Sequence, residues 1–161
     1  MSGTHPPGPS AILVVGYGNE LRGDDAVGPG VADSVRTWAL PGVQVLKLHQ
    51  LTPELSEAVA SAEVVFFVDA AFAAENAKVQ VRSIGPSTET EAIAHASHPS
   101  ALLALAQALF GRSPPAWLLT IPAENFVLGA PLSATAEQGR VVALDRLREL
   151  IGARSEGRST V

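Results

Sequence analysis

Two short, uninterrupted apolar runs constrain this chain more than any other feature. Ala11–Val15 reads AILVV and Val64–Val68 reads VVFFV, both rich in β-branched or aromatic residues and both without polar alternation. A strand with no polar face must be buried on both sides, which happens when helices cover both faces of a largely parallel sheet. The remaining periodicity agrees. Val27, Val31, Val35 and Trp38 recur at helical spacing, with Pro29 near enough to the helix start to be tolerated. Val43–Leu48 is expected as the second strand, Pro53–Ser61 as a helix with Thr52 as its N-cap, and Glu63–Val68 as the third strand. Gly16–Asn19 is expected as the turn that stops the first strand.

The βαβαβ start then changes character. Only about nine residues separate Asp69 from the alternating run Lys78–Ile84, fewer than a parallel crossover needs, so this fourth strand is expected to run antiparallel. A loop over Gly85–Ser97, a helix over Pro99–Phe110, a strand over Ala116–Ile121 and an amphipathic helix from Ala134 to Leu150 complete the pattern. The expected fold class is α/β: a three-layer α/β/α sandwich with a mixed five-stranded sheet. A length of 161 residues suits one domain, placed at 11–150, with 1–10 and 152–161 read as flexible tails.

Composition excludes several chemistries. With no cysteine, the chain has no disulfide, thiolate metal site or cysteine nucleophile, and a reducing, cytoplasmic location is expected. A net charge of −5 without a basic stripe argues against a nucleic-acid partner. The start MSGTHPPGPS lacks the charged and apolar regions of a signal peptide, and ALLALAQALF is too short to span a bilayer, so no membrane association is expected. Gly16-Tyr17-Gly18 resembles the opening of a dinucleotide fingerprint, but Leu21 stands where the third glycine belongs and Lys47-Leu48-His49 offers no ribose-binding acid. No P-loop, HExxH helix or GxSxG elbow is present, so no nucleotide cofactor is expected.

Ligands of open α/β sheets collect beyond the carboxyl ends of the parallel strands. The polar residues expected there are Asn19, Asp24 and Asp25 with Gly16 and Gly18, then His49 and Gln50, then Asp69, then Glu124 and Asn125, with His95 and His98 preceding the next helix. Two carboxylates and an imidazole on one rim suit a borderline divalent ion such as nickel or zinc. Each residue also has a structural reading: Asp24 or Asp25 as a helix cap, Asp69 as a turn acid, His98 as a surface residue before Pro99.

The segment ILVVGYGNELRGDDAVG, Ile12 to Gly28, resembles the opening of the [NiFe]-hydrogenase maturation proteases: an apolar strand, G-x-G-N, a Leu, an acidic pair and a Gly. VVFFVDA (Val64–Ala70), SHPSALLALA (Ser97–Ala106), LLTIPAEN and PLSATAEQ continue the resemblance in order to about Leu150. It implies a phosphorylase/hydrolase-like sandwich whose fourth strand is antiparallel. It also implies an endopeptidase, aspartic-type or metal-assisted, that removes the C-terminal extension of a hydrogenase large-subunit precursor after nickel insertion. The residues implied to meet the metal and carry the catalysis are Asp25, Asp69 and His98, with the nickel supplied by the substrate. Gly18, Asn19, His49, Gln50 and Leu51 are implied to bind substrate. Asp25 stands where some relatives have Glu, and His49-Gln50-Leu51-Thr52 replaces a D-G-G-T segment of some members. This version is similar to the subgroup serving bidirectional, NAD(P)-linked hydrogenases. A monomer is expected. Ordinary side-chain pKa values keep such a trio able to bind metal at neutral pH and predict weaker recognition as His98 protonates below roughly pH 6. The alternatives are a noncatalytic metal or assembly chaperone using the same rim, or a nucleotide-binding α/β module.

Overall fold

The computed structural model describes residues 11–72, 74, 77–88 and 97–159, with side chains as far as residue 154. The tail expected over residues 1–10 lies outside the described residues, as does His95. Five strands, β1 (Ile12–Tyr17), β2 (Val43–Leu48), β3 (Val64–Phe72), β4 (Gln80–Ile84) and β5 (Ala116–Ala123), form one sheet in the order β2-β1-β3-β5-β4. All neighbours are parallel except β4, which runs antiparallel to β5. The helices are α1 (Val27–Thr37), α2 (Ser56–Ser61), α3 (Pro99–Phe110) and α4 (Ala134–Ser159), with 3₁₀ turns at Gly23–Ala26 and Pro53–Leu55. This is the expected mixed-sheet sandwich. Among the described residues, no helix is long and apolar enough to cross a membrane.

Side-chain alternation along the buried strands produces two separate cores. Ile12 and Val14 of β1 and Val64, Phe66 and Val68 of β3 meet Val27, Val31 and Val35 of α1 and Leu147 of α4 on one face. On the other, Leu13, Val15 and Tyr17 join Val65 and Phe67 against Val59 of α2 and Leu102 and Leu103 of α3. Each fully buried side chain of this kind contributes about 1.5–3 kcal/mol. The central strands therefore carry stabilisation on both faces, as the unbroken apolar runs require.

Several boundaries differ from the sequence expectation. Gly16 does not stop β1, which continues through Tyr17. The reason is close approach: a Cβ on Gly16 would lie 2.2 Å from the Gly28 carbonyl oxygen, and one on Gly28 would lie 2.5 Å from that of Tyr17 and 2.8 Å from that of Val68. Glycine at both positions lets the first turn of α1 press onto the sheet. β3 likewise runs past Val68, because Asp69–Phe72 pair with Thr120–Ala123 of an extended β5. Thr52 precedes the 3₁₀ turn at Pro53 but makes no side-chain capping bond. The last helix runs on to Ser159, so residues 152–159, expected as part of a flexible tail, instead continue α4 beyond Leu150: extending a helix already nucleated costs far less than starting one, even across Gly152 and Gly157.

β1 leads left to β2 through α1, whereas β3 lies on the other side of β1. The strand order therefore reverses between β1 and β3, where open α/β sheets form a crevice at their carboxyl ends.

Candidate functional site

The turn after β1 is built around Asp25. Gly18 has φ 150°, and a Cβ there would lie 2.1 Å from the Asp25 carbonyl oxygen. Only glycine fits that conformation and that gap. The chain then doubles back so that the Asn19 N–H donates to Asp25 Oδ2 at 2.7 Å, while Asn19 Oδ1 accepts from the Leu21 N–H at 2.9 Å. Asp25 is thereby held, half-buried, in the 3₁₀ turn that feeds α1.

Its neighbour Asp24 has a different task. Fully buried, it accepts at Oδ2 from the Glu124 N–H (2.8 Å), the Asn125 N–H (3.1 Å) and the Ser133 hydroxyl (2.7 Å), and at Oδ1 from the Ser133 N–H (2.7 Å). The Ser133 hydroxyl in turn accepts from the Ala136 N–H at 3.1 Å, so it caps α4. Burial opposes ionisation of Asp24, but the donors of Ser133, Glu124 and Asn125 outweigh it and hold the carboxyl below its ordinary range. Asp24 thus fastens the β5–α4 connection to the start of α1. The cap reading of this acid was right in kind and wrong in place, because the backbone it satisfies lies across the molecule.

Asp69 stands in β3, opposite Thr120, and is half-buried. Burial pushes its carboxyl up to about 6; the Tyr17 hydroxyl and the Ala70 N–H draw it down, the Asp25 charge pushes it up, and His98 draws it down. Tyr17 is buried and its hydroxyl is pushed well above the ordinary range, first by burial and then by the charge and hydrogen bond of Asp69. Sequence reading assigned Tyr17 to a turn and missed it. Period-two alternation was the available signal: Leu13, Val15, Tyr17 and Val65, Phe67, Asp69 continue onto the same face of the sheet.

His98 is exposed at the N-cap position of α3, in extended backbone (φ −105°, ψ 137°), followed by Pro99 in the first turn. Its carbonyl accepts the helical bond from Leu102 at 3.0 Å, and its imidazole makes no capping bond. Asp25, Asp69 and His98 therefore come from three elements around the β1/β3 crevice, and both Asp25 and His98 act electrostatically on Asp69. Among the described residues, no group of three or more His, Asp or Glu side chains converges closely enough to hold an ion.

Gly18, Asn19 and His49 line a cavity of about 500 Å³ with Glu20, Leu21, Pro29, Lys47 and Leu48, at the carboxyl ends of β1 and β2. Lys47 is bridged to Glu20 and Asp33, each at 3.3 Å. Gln50 is exposed at the turn after β2. Leu51, expected beside them as a substrate contact, is 4% exposed and fills the core on the α2/α3 face, since an apolar side chain there gains more from burial than from the rim. On the far side, Glu124 Oε1 accepts from the Thr135 hydroxyl at 2.5 Å and Asn125 Oδ1 accepts from the Val127 N–H at 2.9 Å.

No protein-family model and no curated protein matches this chain. Solved structures do. A hydrogenase 2 maturation peptidase from a Thaumarchaeota archaeon superposes with a TM-score of 0.66 at 22% identity, over 88% of this chain and 97% of that one. The hydrogenase maturating endopeptidase HybD of E. coli gives 0.65 at 24% identity, over 91% and 93%. The [NiFe] hydrogenase maturation protease HycI of Thermococcus kodakarensis gives 0.64 at 24% identity, over 88% and 90%. This chain has the fold of the hydrogenase maturation peptidases, over nearly the full length of each.

Proposed function

We propose that this protein is an endopeptidase that trims the C-terminal extension from the precursor of a [NiFe]-hydrogenase large subunit, and that nickel already bound to the precursor is the signal it reads. The observation that carries this reading is the fold shared with three hydrogenase maturation peptidases, in which Asp69 at the end of the β3 apolar run feels the charges of both Asp25 and His98. The donor set, two carboxylates and an imidazole, matches the preference of a borderline divalent ion. Among the described residues its members form no ready-made metal site, so in this reading the ion comes with the substrate.

Asp69 is the group best matched to peptide hydrolysis. A carboxyl pushed up to about 6 is mostly ionised at neutral pH yet basic enough to take a proton from water as it attacks the scissile carbonyl. The same proton can then pass to the departing amine, leaving a new carboxylate and a new amino terminus. Tyr17 holds the Asp69 carboxylate in place by its hydrogen bond. His49, exposed at the mouth of the neighbouring cavity, is suited to substrate contact and to selecting a precursor of the bidirectional, NAD(P)-linked type.

The test is to incubate nickel-loaded and nickel-free precursor with the protein and follow the loss of the extension by mass. Shortening of the loaded form alone, abolished by Asp69→Asn, is expected. Equal cleavage of both forms refutes nickel recognition. Binding without cleavage by the wild-type chain refutes the peptidase and favours a precursor chaperone.

A further inference from the structure

Asn19 is held from two sides and has one group left over. Its backbone N–H donates to Asp25 Oδ2 at 2.7 Å, and its side-chain Oδ1 accepts from the Leu21 N–H at 2.9 Å. A backbone N–H can only donate, so the atom that faces Leu21 is the oxygen and the orientation of the amide is fixed. Its NH₂ group sits on the other arm, and among the described residues nothing accepts its two protons. A residue that served the turn alone would need only the oxygen, which Asp or Ser supplies equally well.

These spare donors border a cavity. Asn19 lines a space of about 500 Å³ with Gly18, Leu21, Pro29, Leu48 and His49, within the size range of small-ligand sites. The Gly18 N–H donates to the Leu48 carbonyl at 3.0 Å and ties the ends of β1 and β2 together at its edge. Pro29 is buried and Leu48 half-buried, so part of the wall is apolar. Charge then decides what fits. Lys47 faces two carboxylates, Glu20 and Asp33, which leaves one negative charge in excess, and Asp25 brings another against Asn19. An anionic group would enter against that charge, whereas a neutral carbonyl oxygen takes the amide protons without such repulsion.

Resting on the peptidase reading above, we propose that Asn19 is a substrate-binding residue whose NH₂ group donates to a main-chain carbonyl of the precursor as it crosses this cavity. The group recognised is a neutral peptide carbonyl, neither an acidic side chain nor a free carboxyl terminus. One residue then performs two tasks. Its backbone N–H holds the Asp25 carboxylate while its side-chain amide seats the incoming chain, so the substrate is placed in a set relation to Asp25. Because every residue carries a carbonyl, this contact fixes position without reading sequence.

The test measures binding of nickel-loaded precursor in the Asp69→Asn background, where cleavage does not intervene, and steady-state cleavage with Asp69 intact. Asn19→Asp keeps an oxygen for the Leu21 N–H but has no donor; Asn19→Ser keeps a shorter acceptor that also lacks the NH₂ group. Both should weaken binding about three- to tenfold and raise KM by the same factor with kcat nearly unchanged, at a urea midpoint close to that of the parent. Asn19→Asp should be the weaker binder, because its carboxylate repels the carbonyl. Tighter binding by Asn19→Asp marks a cationic occupant and overturns the proposal. So do unchanged binding in both variants and a loss of binding that merely tracks a loss of stability, and if loaded precursor is still cut in those cases the peptidase reading survives alone. The expected binding pattern with no cleavage of any precursor has the opposite meaning: the carbonyl contact stands and the peptidase reading falls. Failure of the precursor to bind at all overturns both.

Discussion

Asp24 offers the sharpest energetic test, because it is a buried carboxylate whose four partners are all donors. A hydrogen bond to a charged group contributes about 1.5–3 kcal/mol net, and a buried donor stripped of its partner costs about 1–3 kcal/mol. Desolvation of the carboxylate itself offsets much of the gross gain. In Asp24→Ala the amides of Glu124 and Asn125 belong to exposed residues and can turn to water, whereas Ser133 is half-buried and loses partners at both its N–H and its hydroxyl. The expected loss is about 3–5 kcal/mol, or roughly 6–20 °C in Tm for a domain of this size. Asp24→Asn keeps the shape but must aim an NH₂ group at one of the donors, with an expected loss of about 2–3 kcal/mol. The pH dependence follows from the depressed carboxyl. A group whose folded pKa lies below its unfolded value contributes stability above that unfolded value and loses it as pH falls through the folded one. The gap between wild type and Asp24→Asn should therefore be full at pH 7 and shrink toward pH 3. Urea denaturation at several pH values measures it. A loss below about 1 kcal/mol for the alanine variant, or a gap that persists unchanged into acid, refutes the clamp.

Asp69 has the opposite linkage. Its carboxyl is raised from 3.8 to about 6, so its ionisation burdens the fold increasingly as pH rises between those values. Asp69→Asn should therefore unfold at higher urea than wild type at pH 8, by about 1–2 kcal/mol after allowing for its partial exposure, and show little difference at pH 4. The same variant should be inactive toward precursor. Tyr17→Phe removes a hydrogen bond that favours the Asp69 carboxylate, so the acid limb of the pH–rate profile should move to higher pH by about 1. A limb that stays fixed or moves down would dissociate Tyr17 from the group responsible.

Much of the architecture is legible in the residues because it rests on local rules. Two-sided burial makes AILVV and VVFFV unmistakable, and Pro99 with Gly111, in the left-handed region at φ 72°, brackets α3 as a Pro start and a Gly stop should. The antiparallel β4 follows from connection length alone. What escaped depends on contacts between distant segments. Gly16 looks like a strand stop until Gly28 is seen pressing on it, and β3 outruns its apolar run only because β5 extends alongside. Asp24 reads as a helix cap because its partners lie 100 to 109 residues away. At the site, Asp25, Asp69 and His98 are visible as strand-end or helix-start polar residues, whereas Tyr17 was hidden by a misplaced strand end. Leu51 shows the converse error, since adjacency to a loop does not make an apolar side chain accessible.

The two outer layers supply different parts of the crevice. Asp25 comes with α1, on the side shared with α4, whereas His98 opens α3, which packs with α2 on the opposite side. Asp24 then secures one of these layers only after Ser133 has been synthesised. A chain still emerging from the ribosome holds neither the complete rim nor the fastening that steadies it. The rim and its fastening should accordingly be completed together, only once the start of α4 has been made.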